Sequence, residues 1–312
     1  MDNSALLVNS KEEKMTTAIQ LREINYYSDG LKIAGNLYIP ASGPDVALPA
    51  IVLVHGYSGV KAVLGKLPEQ LAEQGYAVLA IDNRGYNLSE GERQRSNPNE
   101  HTQDVIDAVT YLETVQEVDP ERIGIYGTSW GGGIAIQAAA LDQRLKAVVT
   151  CVAVSDGERW MREARLEWEW PTFLDGVREA ARRRVVTGVV ERSELSDLMV
   201  SDPHSKSVTG PFNKTQPGFS SSYETQSAEW CYRWHPIWLA PHIAPRPVLT
   251  IYAEHDRLAP PRQQIDLHNA CGEPKKLVML PKGQHYDSYD IANPELAASV
   301  LAETLAWFGA HL

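Results

Sequence analysis

The sequence predicts an α/β protein: a mostly parallel central sheet with helices on both faces and a mainly helical insertion past its middle. Three observations carry this. Short β-branched runs alternate with helix-length segments along most of the 312 residues, which implies right-handed crossovers and a sheet covered on both sides. The alternation stops near Ser155, where the composition changes. It resumes near Ala240 and ends in an amphipathic helix.

The elements follow in order. LKIAGNLYIP, from Leu31, reads as a strand ending at Pro40. PAIVLVHG is a short β-branched run, as expected of a buried parallel strand, and a helix follows near Lys66 to Gln74. YAVLAID is the next strand, and HTQDVIDAVTYLETVQ the next helix, with Val105, Ile106, Val109 and Leu112 on one face. RIGIYG, GGIAIQAAAL and KAVVTCVAV then read as strand, helix and strand. After the interruption come RPVLTIYAE as strand, PRQQIDLHNA as helix, KKLVMLP as strand and PELAASVLAETLAWFGAHL as the closing helix.

The expected organisation is a tail over residues 1–20, an α/β body over 21–154 and 241–312, and an inserted cap, or lid, over 155–240. Six of the eight tryptophans (Trp160, Trp168, Trp170, Trp230, Trp234 and Trp238) lie in that insertion. So does an arginine-rich helical stretch, Arg178 to Arg192, whose arginines are expected on a solvated face or in salt bridges with Glu179 and Glu191. Ser201 to Ser222 is rich in Ser, Pro and Gly and reads as loop. An insertion after a strand's C-terminal end falls beside the crevice where open α/β sheets bind ligands.

Composition narrows the function. Forty acidic against 29 basic side chains give a net charge of −11, so the long-range field repels phosphate backbones and anionic membrane surfaces. A nucleic-acid or membrane partner is not expected; a small-molecule substrate is. Cys151, Cys231 and Cys271 are far apart and lack CxxC spacing, which suggests neither a disulfide framework nor a metal site. No run approaches the roughly 18 apolar residues of a membrane span. The N-terminal ALLV has no basic residues before it, so no secretory signal is expected and a cytoplasmic setting fits. The oligomeric state is left open.

The chemistry centres on Gly127-Thr128-Ser129-Trp130-Gly131. A strand runs into it and a small-residue helix runs out, the setting of a nucleophile elbow. A sharp turn that lifts Ser129 above the sheet leaves no room for side chains two residues to either side, and glycine supplies that room. Serine is a weak nucleophile unless a base and an orienting acid assist it. Asp256 directly follows RPVLTIYAEH and His285 follows KKLVMLP after a short loop, so both fall at the same sheet edge as Ser129. Glu254 is the competing acid, but it still lies within the strand. His255, beside the proposed acid, and His268, in a helix, are poorer bases. Acyl transfer also needs donors for the developing oxyanion. His55-Gly56-Tyr57-Ser58-Gly59 follows the strand PAIVLV, which nominates the backbone amides of Tyr57 and Trp130; His55 itself reads as a structural hydrogen-bonding group. Trp160 and Trp234, near the two ends of the insertion, are expected to line the substrate pocket.

On these motifs, from Leu21 to Leu312, the chain resembles the serine hydrolases of the α/β-hydrolase superfamily. Asp82-Asn83-Arg84-Gly85-Tyr86 with Ser89-Glu90-Gly91, and the segment Gln284 to Asp290, are similar to the X-prolyl dipeptidyl aminopeptidase-like and dienelactone-hydrolase-like branches. Asn87-Leu88 departs from that pattern, and Ser129 stands where dienelactone hydrolase has cysteine. The resemblance implies an esterase, amidase or peptidase, and the reaction expected of these residues is cofactor-free cleavage of an ester, thioester or amide carbonyl. Carbon–carbon bond or lactone hydrolysis by the same residues, or a non-catalytic ligand receptor on the same fold, are the alternatives. Asp82 and Arg84 are expected in a salt bridge that fixes the loop beneath the site.

Overall fold

The structure is a computed structural model that describes residues 18–41, 46–215 and 221–312. Strand β1 (Ile19–Ser28) begins within the expected tail, and Ile19 and Gln20 pair with Pro40 and Ile39 of β2 (Leu31–Pro40). Residues 1–17 of that tail lie outside the described residues. Then come β3 (Leu48–Val54), α1 (Leu67–Glu73), β4 (Ala77–Ile81), α2 (Pro98–Leu112), β5 (Val118–Thr128), α3 (Trp130–Leu141) and β6 (Leu145–Cys151).

The insertion follows: α4 (Gly157–Glu163), α5 (Glu169–Thr187), β7 (Arg192–Glu194), α6 (Leu195–Leu198), α7 (Pro203–Thr215), β8 (Ser222–Glu224) and α8 (Gln226–Tyr232). The chain closes with β9 (Val248–Ala253), α9 (Pro261–Ala270), β10 (Lys275–Leu280) and α10 (Pro294–His311).

Eight strands form one sheet in the order β1-β2-β4-β3-β5-β6-β9-β10. Strand β2 runs antiparallel to β1 and β4; every pairing from β4 onward is parallel. The central strands are apolar on both faces because helices cover both, and Ala50 to Val54 and Ala77 to Ile81 are buried throughout. Helix α2 turns Val105, Val109 and Leu112 into the core. Each such residue contributes about 1.5–3 kcal/mol relative to exposure. Pro98 and the Asn97 side chain, which accepts the Asn99 amide, start that helix. Helix α3 is buried along nearly its whole length, which explains a sequence of Trp, Gly, Ala, Ile and Leu in which Gln137 is the one polar side chain.

One reading of the insertion is corrected. Ser201 to Ser222 is not continuous loop, because α7 spans Pro203–Thr215. The Asp202 carboxylate accepts the amides of His204 and Ser205, and Pro203 supplies a preset φ for the first turn. The Thr209 hydroxyl bonds back to the Ser205 carbonyl, so a polar side chain is absorbed within the helix. The α5 arginines are paired: Arg178 with Asp175, Arg182 with Glu179, Arg183 with Glu191, and Arg184 with Glu229 of α8.

Candidate active site

Strand β5 ends at Thr128 and α3 begins at Trp130, leaving Ser129 alone at the turn with φ 54° and ψ −121°. Positive φ in a non-glycine residue costs on the order of 1–3 kcal/mol and persists only where the surroundings fix it. They do so here. The Ser129 amide donates to the Cys151 carbonyl at 2.8 Å, and its own carbonyl accepts the amides of Gly132 and Val154, each at 3.0 Å. A Cβ on Gly127 would overlap the Gly131 carbonyl, and one on Gly131 would sit 2.5 Å from the His55 carbonyl oxygen. Both glycines are therefore steric requirements of the turn.

Three parallel strands end at one rim, and the loops beyond them bring Ser129, Asp256 and His285 together. His285 Nε2 lies 3.0 Å from Ser129 Oγ, and His285 Nδ1 lies 2.7 Å from Asp256 Oδ2. The other Asp256 oxygen accepts the amides of Leu258 at 2.9 Å and Ala259 at 2.8 Å, which holds the carboxylate in place. All three side chains are buried, with Ser129 at 7%, Asp256 at 2% and His285 at 1% exposure. His285 opens a short 3-10 turn, His285–Ser288, closed by reciprocal bonds between Gln284 and Asp287. Glu254 lies elsewhere: its carboxylate accepts the Lys282 amide at 2.7 Å and braces the loop that carries His285.

Gly56 passes directly over Ser129, since a Cβ there would stand 3.1 Å from Ser129 Cβ. Among the described residues, the amides of Tyr57 and Trp130 have no backbone acceptor, as expected at a helix start for Trp130. A cleft open to solvent lies beside Ser129, and its wall includes Tyr57, Met199, Thr209, Leu258, Tyr286 and Ile291. No charged side chain belongs to that wall among the described residues.

The structure does not bring Trp160 and Trp234 to the cleft wall. Both are buried in an aromatic cluster behind it. Trp160 packs 5.4 Å from Tyr57 and 5.9 Å from Trp130, and Trp234 packs 4.2 Å from Trp130. Trp234 Nε1 donates to Gln137 of α3 at 2.5 Å. The reason is area: a large apolar ring at the junction of insertion and body is stabilised by burial between them. Trp168 and Trp238 are solvent-exposed.

Met199 and Thr209 of the insertion, and Tyr286, Tyr289 and Ile291 after His285, were missed by sequence reasoning. Tyr286 and Tyr289 were legible, because they stand in the Gln284 to Asp290 segment that carries the resemblance; Met199 and Thr209 left no signal. Asp82 pairs with Lys61 and also accepts the Lys61 amide at 2.7 Å, whereas Arg84 pairs with Asp104 at 2.7 Å and Asp29 at 2.9 Å. The expected Asp82–Arg84 bridge is thus replaced by three separate ion pairs. The Asp82 pair anchors the loop after β3, and the two Arg84 pairs tie the β4 end to α2 and to the turn between β1 and β2.

A strained serine at the β5–α3 turn, with an acid and a histidine after later strands of a mostly parallel sheet, defines the class. The chain belongs to the α/β-hydrolase family, whose defining pattern, the alpha/beta hydrolase fold, matches residues 49–290. An uncharacterised 31.7 kDa protein of Escherichia coli is 32% identical over 268 residues, covering 85% of this chain and 91% of that one. The thiohydrolase aneE of Aspergillus aculeatus is 27% identical over 293 residues, covering 90% of this chain and 89% of that protein. In structure, the hypothetical protein PA2218 of Pseudomonas aeruginosa superimposes with a TM-score of 0.80 at 22% identity, each chain covered in full. That last likeness concerns the fold. The family, the relative named a thiohydrolase and another named an acyltransferase, drtE of Aspergillus calidoustus (25% identical over 269 residues, 83% of this chain and 85% of that protein), support a hydrolase acting on a small molecule, by hydrolysis or acyl transfer in the general sense. Among the described residues, no helix is long and apolar enough to cross a membrane.

Proposed function

We propose that the protein is a serine hydrolase that cleaves an ester or thioester of an uncharged, partly apolar acyl group through an acyl-enzyme. The observation that carries this is the chain of contacts from Ser129 Oγ to His285 Nε2 at 3.0 Å and from His285 Nδ1 to Asp256 Oδ2 at 2.7 Å.

In this reading neutral His285 takes the Ser129 proton as Oγ attacks the carbonyl carbon. The amides of Tyr57 and Trp130 receive the oxyanion, and Asp256 stabilises the imidazolium. His285 then gives its proton to the leaving alcohol or thiol. Water repeats the sequence on the acyl-enzyme, releasing the acid and free Ser129. The insertion, residues 155–240, serves as the lid, with Met199 and Thr209 at the cleft.

The uncharged wall favours a neutral acyl group. An X-prolyl dipeptide carries an α-ammonium, which calls for a carboxylate that the described wall does not supply, so peptidase action is the weaker reading. The relative named a thiohydrolase supports including thioesters.

The test is labelling with a fluorophosphonate, followed by peptide mapping and a panel of matched aryl esters and acyl thioesters. Modification at Ser129, absent in Ser129→Ala, and turnover of neutral acyl groups are expected. Modification at another serine, or a binder with no turnover of any substrate, would overturn the reading.

A further inference from the structure

His55 sits between two backbone groups. Its Nε2 accepts the Asn83 amide at 3.1 Å, which leaves the ring proton on Nδ1, and Nδ1 lies 2.8 Å from the Gly56 carbonyl oxygen. That oxygen also accepts the Gly59 amide at 3.1 Å. The Gly56 carbonyl belongs to the same peptide unit as the Tyr57 N–H. In a trans peptide the two point in opposite directions within one rigid plane. Fixing the oxygen therefore fixes the direction of the N–H, and Gly56 is the residue that crosses directly above Ser129.

We propose that His55 is a positioning residue: its Nδ1–H anchors the Gly56 carbonyl so that the Tyr57 N–H is held toward the oxyanion formed at Ser129. The proposal rests on the acyl-enzyme reading above and adds a role that the motif alone leaves as structural. Two further observations agree with it. His55 is fully buried, and burial lowers the affinity of its imidazole for a second proton, which keeps Nε2 free as an acceptor. The Asp82 carboxylate anchors Lys61, just beyond the same loop, so the loop that carries this peptide is also tied down at its far end.

The geometry supplies a selective test, because asparagine and glutamine each copy one half of the imidazole. The Asn amide nitrogen falls where Nδ1 stands and can donate to Gly56; the Gln amide oxygen falls where Nε2 stands and can accept from Asn83. His55→Asn is expected to keep at least tenfold more kcat than His55→Gln, with KM little changed in either. His55→Gln should lose about 10- to 100-fold in kcat, somewhat less than deletion of an oxyanion donor. Affinity for a trifluoromethyl ketone, which forms a tetrahedral oxyanion on serine, should fall in parallel. Stability should follow the opposite order, since His55→Asn leaves the buried Asn83 N–H unpaired; melting curves establish that both variants fold.

Equal kcat in the two variants, or activity that follows stability, would overturn the positioning role while fluorophosphonate labelling of Ser129 leaves the acyl-enzyme reading intact. Failure of the unaltered protein to be labelled at Ser129 would overturn both.

Discussion

The Trp234 ring stands 4.2 Å from that of Trp130, centroid to centroid, and its indole N–H is bonded to Gln137 on the same helix. This contact fastens the insertion to the helix that follows the elbow serine. Trp234→Ala should therefore lower stability by about 3–5 kcal/mol, the range for emptying a buried aromatic site. Its kcat/KM losses should be equal for acetyl and bulky aryl esters. Denaturant midpoints and an ester series check this; a loss confined to bulky substrates would return Trp234 to the pocket.

Glu254 and Asp256 are separated by a single residue but have different partners, the Lys282 amide for one and the His285 imidazole for the other. Asp256→Asn should cut kcat by on the order of 10³- to 10⁴-fold. Glu254→Gln, which still presents an oxygen to Lys282, should remain within about fivefold of the unaltered protein, because it leaves the reacting groups in place. Steady-state rates on one aryl ester decide the matter, and the reverse ranking would move the acid to Glu254.

A methyl group at position 131 would stand 2.5 Å from the His55 carbonyl oxygen. Gly131→Ala should destabilise by about 1–3 kcal/mol, the usual cost of overpacking. It should also slow Ser129 labelling, since backbone must give way on the face that carries the reactive hydroxyl. Unchanged melting and labelling rates would mean that the elbow relaxes freely.

His101, buried beneath the site, accepts the Trp130 indole N–H at 3.3 Å, and burial pushes its pKa down to about 3. The folded value lies below the unfolded value of about 6.5. Stability from neutral His101 is thus fully present above about 6.5 and is lost as pH falls toward 3, at about 1.4 kcal/mol per unit. His101→Asn keeps an acceptor there without titrating. Between pH 6.5 and 5 the unaltered protein should lose about 2 kcal/mol more than this variant; parallel stability curves would contradict the assignment.

What the sequence determined by itself was local and repetitive. β-branched runs, helix periodicity and glycines at 127 and 131 fix the alternation of elements and the turn at Ser129, because each depends on sterics within a few residues. Chain order around strand ends was enough to nominate Asp256 and His285, since parallel strands deliver their following loops to one edge of the sheet. Strand β1 was hard to read because only one of its faces is covered. Helix α7 was hidden because its stability comes from the Asp202 cap and back-bonded hydroxyls in a sequence of loop-like composition.

Only the tertiary structure decided which long-range partners meet. It turned Trp160 and Trp234 into packing between insertion and body, gave the cleft wall to Met199, Thr209 and Ile291, and separated Asp82 from Arg84 by offering each a partner far away in the chain. Those outcomes depend on which surfaces bury most area and which buried charges find counterions. Contacts between residues tens of positions apart settle both, and composition and spacing do not encode them locally.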